Sequence, residues 1–173
     1  MLEDALAAIA AVRGAAADLG VASNRIGVMG SSAGGHLAAH AMVAHGRYRA
    51  PVSLRPDFGV LCYPVIAMTG DTAHAGSREN LLGPSPSREL MEEISPDRHV
   101  TASTPPCFLW HTRDDEVVSF RNSMAFAERL GENRVPFELH IYDTGPHGLG
   151  MDLSHPWAST CARWIRESHH RLS

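Results

Sequence analysis

Little in this chain of 173 residues suggests a membrane, a nucleic acid or a disulfide scaffold. No apolar run approaches the length needed to span a bilayer. No block of basic residues occurs and the net charge is −4, so a nucleic acid is not an implied partner. The first residues, Met1-Leu2-Glu3-Asp4, are acidic and already helical in pattern, which is not how a signal peptide begins. The expected location is therefore cytoplasmic. Cysteine is scarce: Cys62, Cys107 and Cys161 are odd in number, far apart and set among apolar neighbours. They read as buried free thiols, in keeping with a reducing compartment. There is no internal repeat and no low-complexity segment. With 44% apolar and 20% charged residues, the chain suits a soluble domain with a sizeable core.

The pattern that is present is α/β. Leu2, Leu6, Ile9, Val12, Ala16 and Leu19 recur on one helical face, with Gly20 as a stop. Strands are expected at 25–29, 58–63, 107–111 and 137–142, the last at a sheet edge. Helices are expected at 33–45, 119–130 and 156–170. Unbroken apolar strands such as Phe58-Gly59-Val60-Leu61-Cys62-Tyr63 suit a parallel sheet covered on both faces. Residues 66–104 are rich in Gly, Pro, Ser and charge, with short helical pieces near 77–82 and 87–93. They read as an excursion over the carboxyl edge of the sheet, within a single domain spanning 1–173.

Gly30-Ser31-Ser32-Ala33-Gly34 matches G-x-S-x-G between a strand and a helix, the context of a nucleophile elbow. Side chains at the flanking glycines are expected to collide with neighbouring backbone. In a parallel sheet the working groups lie past the carboxyl ends of strands. Ser32, the segment 111–118 and Gly145-Pro146-His147-Gly148 all fall there, in the chain order Ser, Asp, His. A serine hydroxyl needs a base, which His147 can be, and a carboxylate must hold the imidazole in the right tautomer. Asp115 stands three residues before Val118, the D-x-x-V spacing of this fold, and Asp114 is the alternative. His36 and His40 lie one helical turn apart, but Leu37 follows His36 and no third ligand is evident. No metal and no cofactor is expected.

On these residues the chain resembles an α/β-hydrolase esterase of the acetyl esterase or acetyl xylan esterase-like group. The run Ile26 to Ala38 looks like that group's elbow. Arg55-Pro56-Asp57-Phe58, Tyr63-Pro64-Val65-Ile66, Asn80-Leu81-Leu82-Gly83 and Ser95-Pro96 look like its intervening landmarks. The resemblance implies a serine ester hydrolase acting on small acyl, above all acetyl, esters. Ser32 would be the nucleophile, Asp115 the acid and His147 the base, with the Ala33 N–H as an oxyanion donor.

The chain departs from the group in having no His-Gly-Gly-Gly run, the loop that donates a second oxyanion hydrogen bond. Losing one such donor costs about 3 kcal/mol of transition-state stabilisation. The helix at 2–19 resembles the one just before the elbow strand, so the group's N-terminal strands have no counterpart. The expected fold is thus a shortened α/β hydrolase, with a mainly parallel sheet of about four strands flanked by helices. The exposed edge of strand 25–29 invites a homodimer. Two other readings stay open: a weak or inactive hydrolase remnant acting in an assembly, and a serine peptidase of the prolyl-oligopeptidase type, which shares the triad order.

Overall fold

A computed structural model of the chain describes residues 1–152 and 154–169. In chain order it contains helix α1 (Leu2–Gly14), strand β1 (Gly27–Ser31), α2 (Ala33–Ala44), β2 (Phe58–Cys62), α3 (Ala75–Leu82), α4 (Arg88–Glu93), β3 (Cys107–Thr112), α5 (Arg121–Glu132), β4 (Phe137–Tyr142) and α6 (Trp157–His169). Short 3-10 turns follow α2 at His45–Arg47 and α4 at Pro96–His99. The four strands form one sheet in the order β1-β2-β3-β4, and every pairing is parallel. The α/β arrangement read from the sequence is therefore the one observed. The end of the last expected helix, residue 170, lies outside the described residues.

Alternation along the central strands builds two cores. Leu61 of β2, with Cys107 and Leu109 of β3, faces Ala38, Ala39 and Met42 of α2 and Phe126 and Leu130 of α5. Val60, Cys62, Phe108 and Trp110 point the other way, against Trp157, Cys161 and Trp164 of α6. Trp110 stacks on Trp157 with ring centroids 4.9 Å apart and 16° between planes. Large side chains buried in this way contribute about 1.5–3 kcal/mol each. The three cysteines are buried and unpaired, as the sequence predicts.

Three expectations are corrected. The helical face of α1 does not reach residue 19: the helix stops at Gly14, and residues 15–20 form irregular turns. Leu6 and Ile9 pack on Ala41 of α2, whereas Val12 and Leu19 are exposed. Glycine is a poor helix former, and here the chain turns just after it. The first strand spans 27–31 rather than 25–29, because Arg25 closes a turn onto the Ala22 carbonyl. Nor is β1 of the fully buried kind: its residues alternate between exposed and half-buried, and Met29 is 56% exposed.

The start of the excursion 66–104 is tied to α5 by the Asn122 side chain. The Asn122 Oδ1 accepts from the Ile66 and Ala67 N–H groups at 2.9 and 3.0 Å, and its Nδ2 donates to the Thr72 carbonyl at 2.8 Å. Ser95 Oγ takes the Met68 N–H at 3.0 Å. The irregular backbone leaving β2 thus finds partners for its buried N–H groups.

Candidate active site

Ser32 sits between the last residue of β1 and the first of α2, at φ 55° and ψ −120°. A non-glycine residue in that region is strained by roughly 1–3 kcal/mol and persists only where its surroundings over-determine it. Here they do. The Ser32 N–H donates to the Cys62 carbonyl at 3.0 Å, and its own carbonyl accepts from His36 and Val65 N–H at 3.1 Å each. The turn also needs space. A Cβ on Gly30 would collide with the Gly34 carbonyl, and one on Gly35 would come 2.8 Å from the Pro64 Cβ. Gly34, however, has open space where its Cβ would be. The expected steric role of the glycines thus falls on Gly30 and Gly35 rather than on both glycines of the pentapeptide.

The three candidate residues meet in a line. Ser32 Oγ lies 2.8 Å from His147 Nε2, and His147 Nδ1 lies 2.7 Å from Asp115 Oδ2. In this arrangement the Nδ1–H donates to the carboxylate and Nε2 is left to accept the serine proton. Asp115 is fully enclosed as a side chain, and His147 is half-buried. The second carboxylate oxygen accepts from the Val117 and Val118 N–H groups, both at 2.9 Å. Burial pushes the Asp115 carboxyl up. The hydrogen bonds from His147, Val118 and Val117 together outweigh it and hold the group below its ordinary value. It is therefore ionised at neutral pH. The D-x-x-V spacing has a physical content: the Val118 N–H is one of the two backbone donors on Asp115.

Asp114 has a different place. Its Oδ1 accepts from the Gly145 N–H at 2.8 Å, tying the loop after β3 to the loop that carries His147. Thr112 Oγ1 donates to the Gly145 carbonyl at 2.7 Å in the same tie. The Ala33 N–H is the first of α2, where the i−4 hydrogen-bond pattern has not begun; the His36 N–H makes the first such bond, back to Ser32. It is thus free of an intrahelical acceptor and lies next to Ser32 at the positive end of the helix.

Two contributors were given no role at the site from sequence. Tyr63, just past β2, stands edge-on to the His147 ring with centroids 5.0 Å apart, and its hydroxyl accepts the Gly150 N–H at 3.3 Å. Trp157 Nε1 donates to the Gly150 carbonyl at 3.0 Å. Both brace the histidine loop. An aromatic residue directly after an apolar strand was visible, but its reach to residue 150 depends on tertiary folding.

A cavity of about 660 Å³ opens beside the elbow. Ala33, Gly34 and Leu37 line one side, and Met68, Leu81 and Ile94 of the excursion line another. His36 and His40 border it as well. Burial, the largest influence on each, lowers both histidines to about 4, so they are neutral at pH 7. Among the described residues no group of three or more His, Cys, Asp or Glu side chains gathers in metal-binding geometry.

Residues 3–169 match the model of the prolyl oligopeptidase family. The chain belongs to that family. It is 37% identical over 154 residues to the endo-1,4-beta-xylanase B of Butyrivibrio fibrisolvens, a match covering 86% of this chain and 24% of that protein. To the acetylxylan esterase of Xylanibacter ruminicola it is 32% identical over 144 residues, covering 81% of this chain and 29% of the relative. The chain therefore spans about a quarter of the length of these curated relatives. Among solved structures, the acetyl ester-xyloside bifunctional hydrolase of Caldicellulosiruptor lactoaceticus superimposes with a TM-score of 0.89 at 42% identity, over 97% of this chain and 65% of that one. The esterase 2 of Thermogutta terrifontis, phosphonylated by sarin, gives a TM-score of 0.80 at 27% identity, over 96% and 65% of the two chains. Family and neighbours alike fit the α/β-hydrolase fold. Among the described residues no helix is long and apolar enough to cross a membrane.

Proposed function

We propose that this chain hydrolyses small carboxylic esters, acetyl esters first, through an acyl-enzyme on Ser32. The observation that carries the reading is the unbroken line from Ser32 Oγ to His147 Nε2 and from His147 Nδ1 to Asp115 Oδ2, at 2.8 and 2.7 Å. Ser32 Oγ attacks the acyl carbon while His147 Nε2 takes the hydroxyl proton, and Asp115 stabilises the imidazolium that results. The carbonyl oxygen becomes an oxyanion, and the Ala33 N–H is the donor assigned to it. The bond to the alcohol oxygen then breaks, and His147 returns its proton to that oxygen. Water, activated by the same histidine, attacks the acyl-enzyme and releases the acid with Ser32 restored.

The apolar cavity beside Ala33 suits the acyl group, so substrate choice maps to the excursion 66–104. The printed names of the acetylxylan esterase and the acetyl ester-xyloside hydrolase support acetyl esters of a sugar polymer as the substrate class. Turnover of p-nitrophenyl acetate that vanishes in Ser32→Ala tests the assignment; equal turnover in both proteins overturns it. The family model favours one second reading, cleavage of a peptide amide. Comparing an ester with the matching amide separates the two.

The same reading takes the chain as a single domain in the cytoplasm, in keeping with its one sheet and three unpaired thiols. The outer edge of β1, with Met29 exposed, supports self-association through that strand. Sedimentation as a monomer at micromolar concentration counts against it.

A further inference from the structure

A second histidine touches the same carboxylate oxygen as His147. His111, near the end of β3, is fully buried, and its Nε2 lies 2.8 Å from the Val118 carbonyl and 3.3 Å from Asp115 Oδ2. Its Nδ1 lies 2.9 Å from Ser123 Oγ on α5, itself fully buried. A carbonyl can only accept, so the Nε2 carries the hydrogen. Burial, the largest influence on this ring, lowers its pKa, so the ring is neutral and Nδ1 is a bare acceptor. The Ser123 hydroxyl therefore donates to Nδ1 and fixes the tautomer.

We propose that His111, locked by Ser123, is a positioning residue that holds the Asp115 carboxylate and its loop in place for His147. The Val118 peptide is gripped from both sides. Its N–H donates to Asp115 Oδ1, and its carbonyl accepts from His111. Val118 thus links Asp115 to His111 through two hydrogen bonds, and the same His111 Nε2–H edge comes within 3.3 Å of Oδ2. Oδ2 thus has the His147 Nδ1–H at 2.7 Å on one side and the His111 ring edge at 3.3 Å on another, which restricts how the carboxylate can rotate. The titratable groups facing His111 are Asp115, on the loop after β3, and His147, on the loop after β4. His111 is fully buried and its polar contacts are Ser123, the Val118 carbonyl and Asp115, so its effect on the reaction passes through Asp115.

The inference rests on the reading of Ser32, His147 and Asp115 as the reacting line. It is tested by a double-mutant cycle on p-nitrophenyl acetate turnover, with His111→Leu placed in the wild type and in Asp115→Asn. His111→Leu is expected to lower kcat about tenfold with KM unchanged. In the Asp115→Asn background the same change should alter kcat by less than about twofold. His111→Gln, which keeps an N–H donor and an acceptor, should recover most of the loss. An equal fall in both backgrounds, or no fall in a folded His111→Leu protein, overturns the proposal. Should His111→Leu fail to fold, Ser123→Ala replaces it, with a smaller fall that again disappears in Asp115→Asn. Should the wild type itself not turn over, the esterase reading fails. The downfield Nδ1–H proton resonance of His147 then decides: a shift in His111→Leu supports the positioning role, and an unmoved resonance overturns it.

Discussion

The Ser32 hydroxyl and the His147 ring stand 115 residues apart in the chain and 2.8 Å apart in space. Each is delivered by the end of a parallel strand, Ser32 by β1 and His147 by the loop after β4. These are the outer strands of the sheet. Two central strands separate them, and the turn at Ser32 is built on β2: its N–H bonds Cys62 and its carbonyl bonds Val65. Asp115, after β3, completes the bridge.

Asp115 and Asp114 should differ sharply on substitution. Asp115→Asn leaves the shape but removes the charge facing His147, and kcat should fall by about 10⁴-fold. Asp114→Asn weakens only the bond to the Gly145 N–H, and a loss of about tenfold or less is expected. Steady-state kinetics on the two proteins reads the difference.

The glycines of the elbow should not be equivalent. Gly30→Ala drives a Cβ into the Gly34 carbonyl, and a destabilisation of about 1–3 kcal/mol or more is expected. Gly34→Ala meets open space on a helix, where alanine is favoured by about 0.5–1 kcal/mol, so stability should hold or rise. Urea unfolding midpoints test both.

Stability should decline on mild acidification. Burial lowers His36 to about 4 in the folded state, from 6.5. Below pH 6.5 the unfolded chain takes up a proton that the folded one resists, so stability falls until about pH 4 and then levels. For His36 alone this amounts to about 3 kcal/mol. His40 adds in the same direction. The lowered Asp115 carboxyl acts in a separate window: its contribution is full above 3.8 and is lost as the pH drops through its folded value. His36→Leu should flatten the curve between pH 6.5 and 4. Thermal melts across that range measure it.

Much of this was legible in the residues, for identifiable reasons. The runs at 58–63, 107–111 and 137–142 are apolar or alternating, and strands form there to within one residue, because central strands are covered on both faces and the edge strand is not. The Ser, Asp, His order picked out three residues that the fold brings together, because parallel strands bring successive loops to one rim. What was not legible depends on contacts distant in sequence. Asp114 and Asp115 are neighbours, and only the fold sends one to His147 and the other to Gly145. Likewise Asn122 reads as an ordinary helix residue, yet it satisfies two N–H groups more than fifty positions earlier. The shift of β1 from 25–29 to 27–31 has a local cause, since the strand runs into the motif itself, through Gly30 and Ser31.

The central claim is that Ser32 is a nucleophile activated by His147. Exposure of the protein to a fluorophosphonate, followed by mass spectrometry of its peptides, tests it most directly. A single adduct on the peptide carrying Ser32, forming at least about 10²-fold more slowly in His147→Ala, is the expected result. No adduct, an adduct on a different serine, or labelling of Ser32 at the same rate without His147 would contradict it.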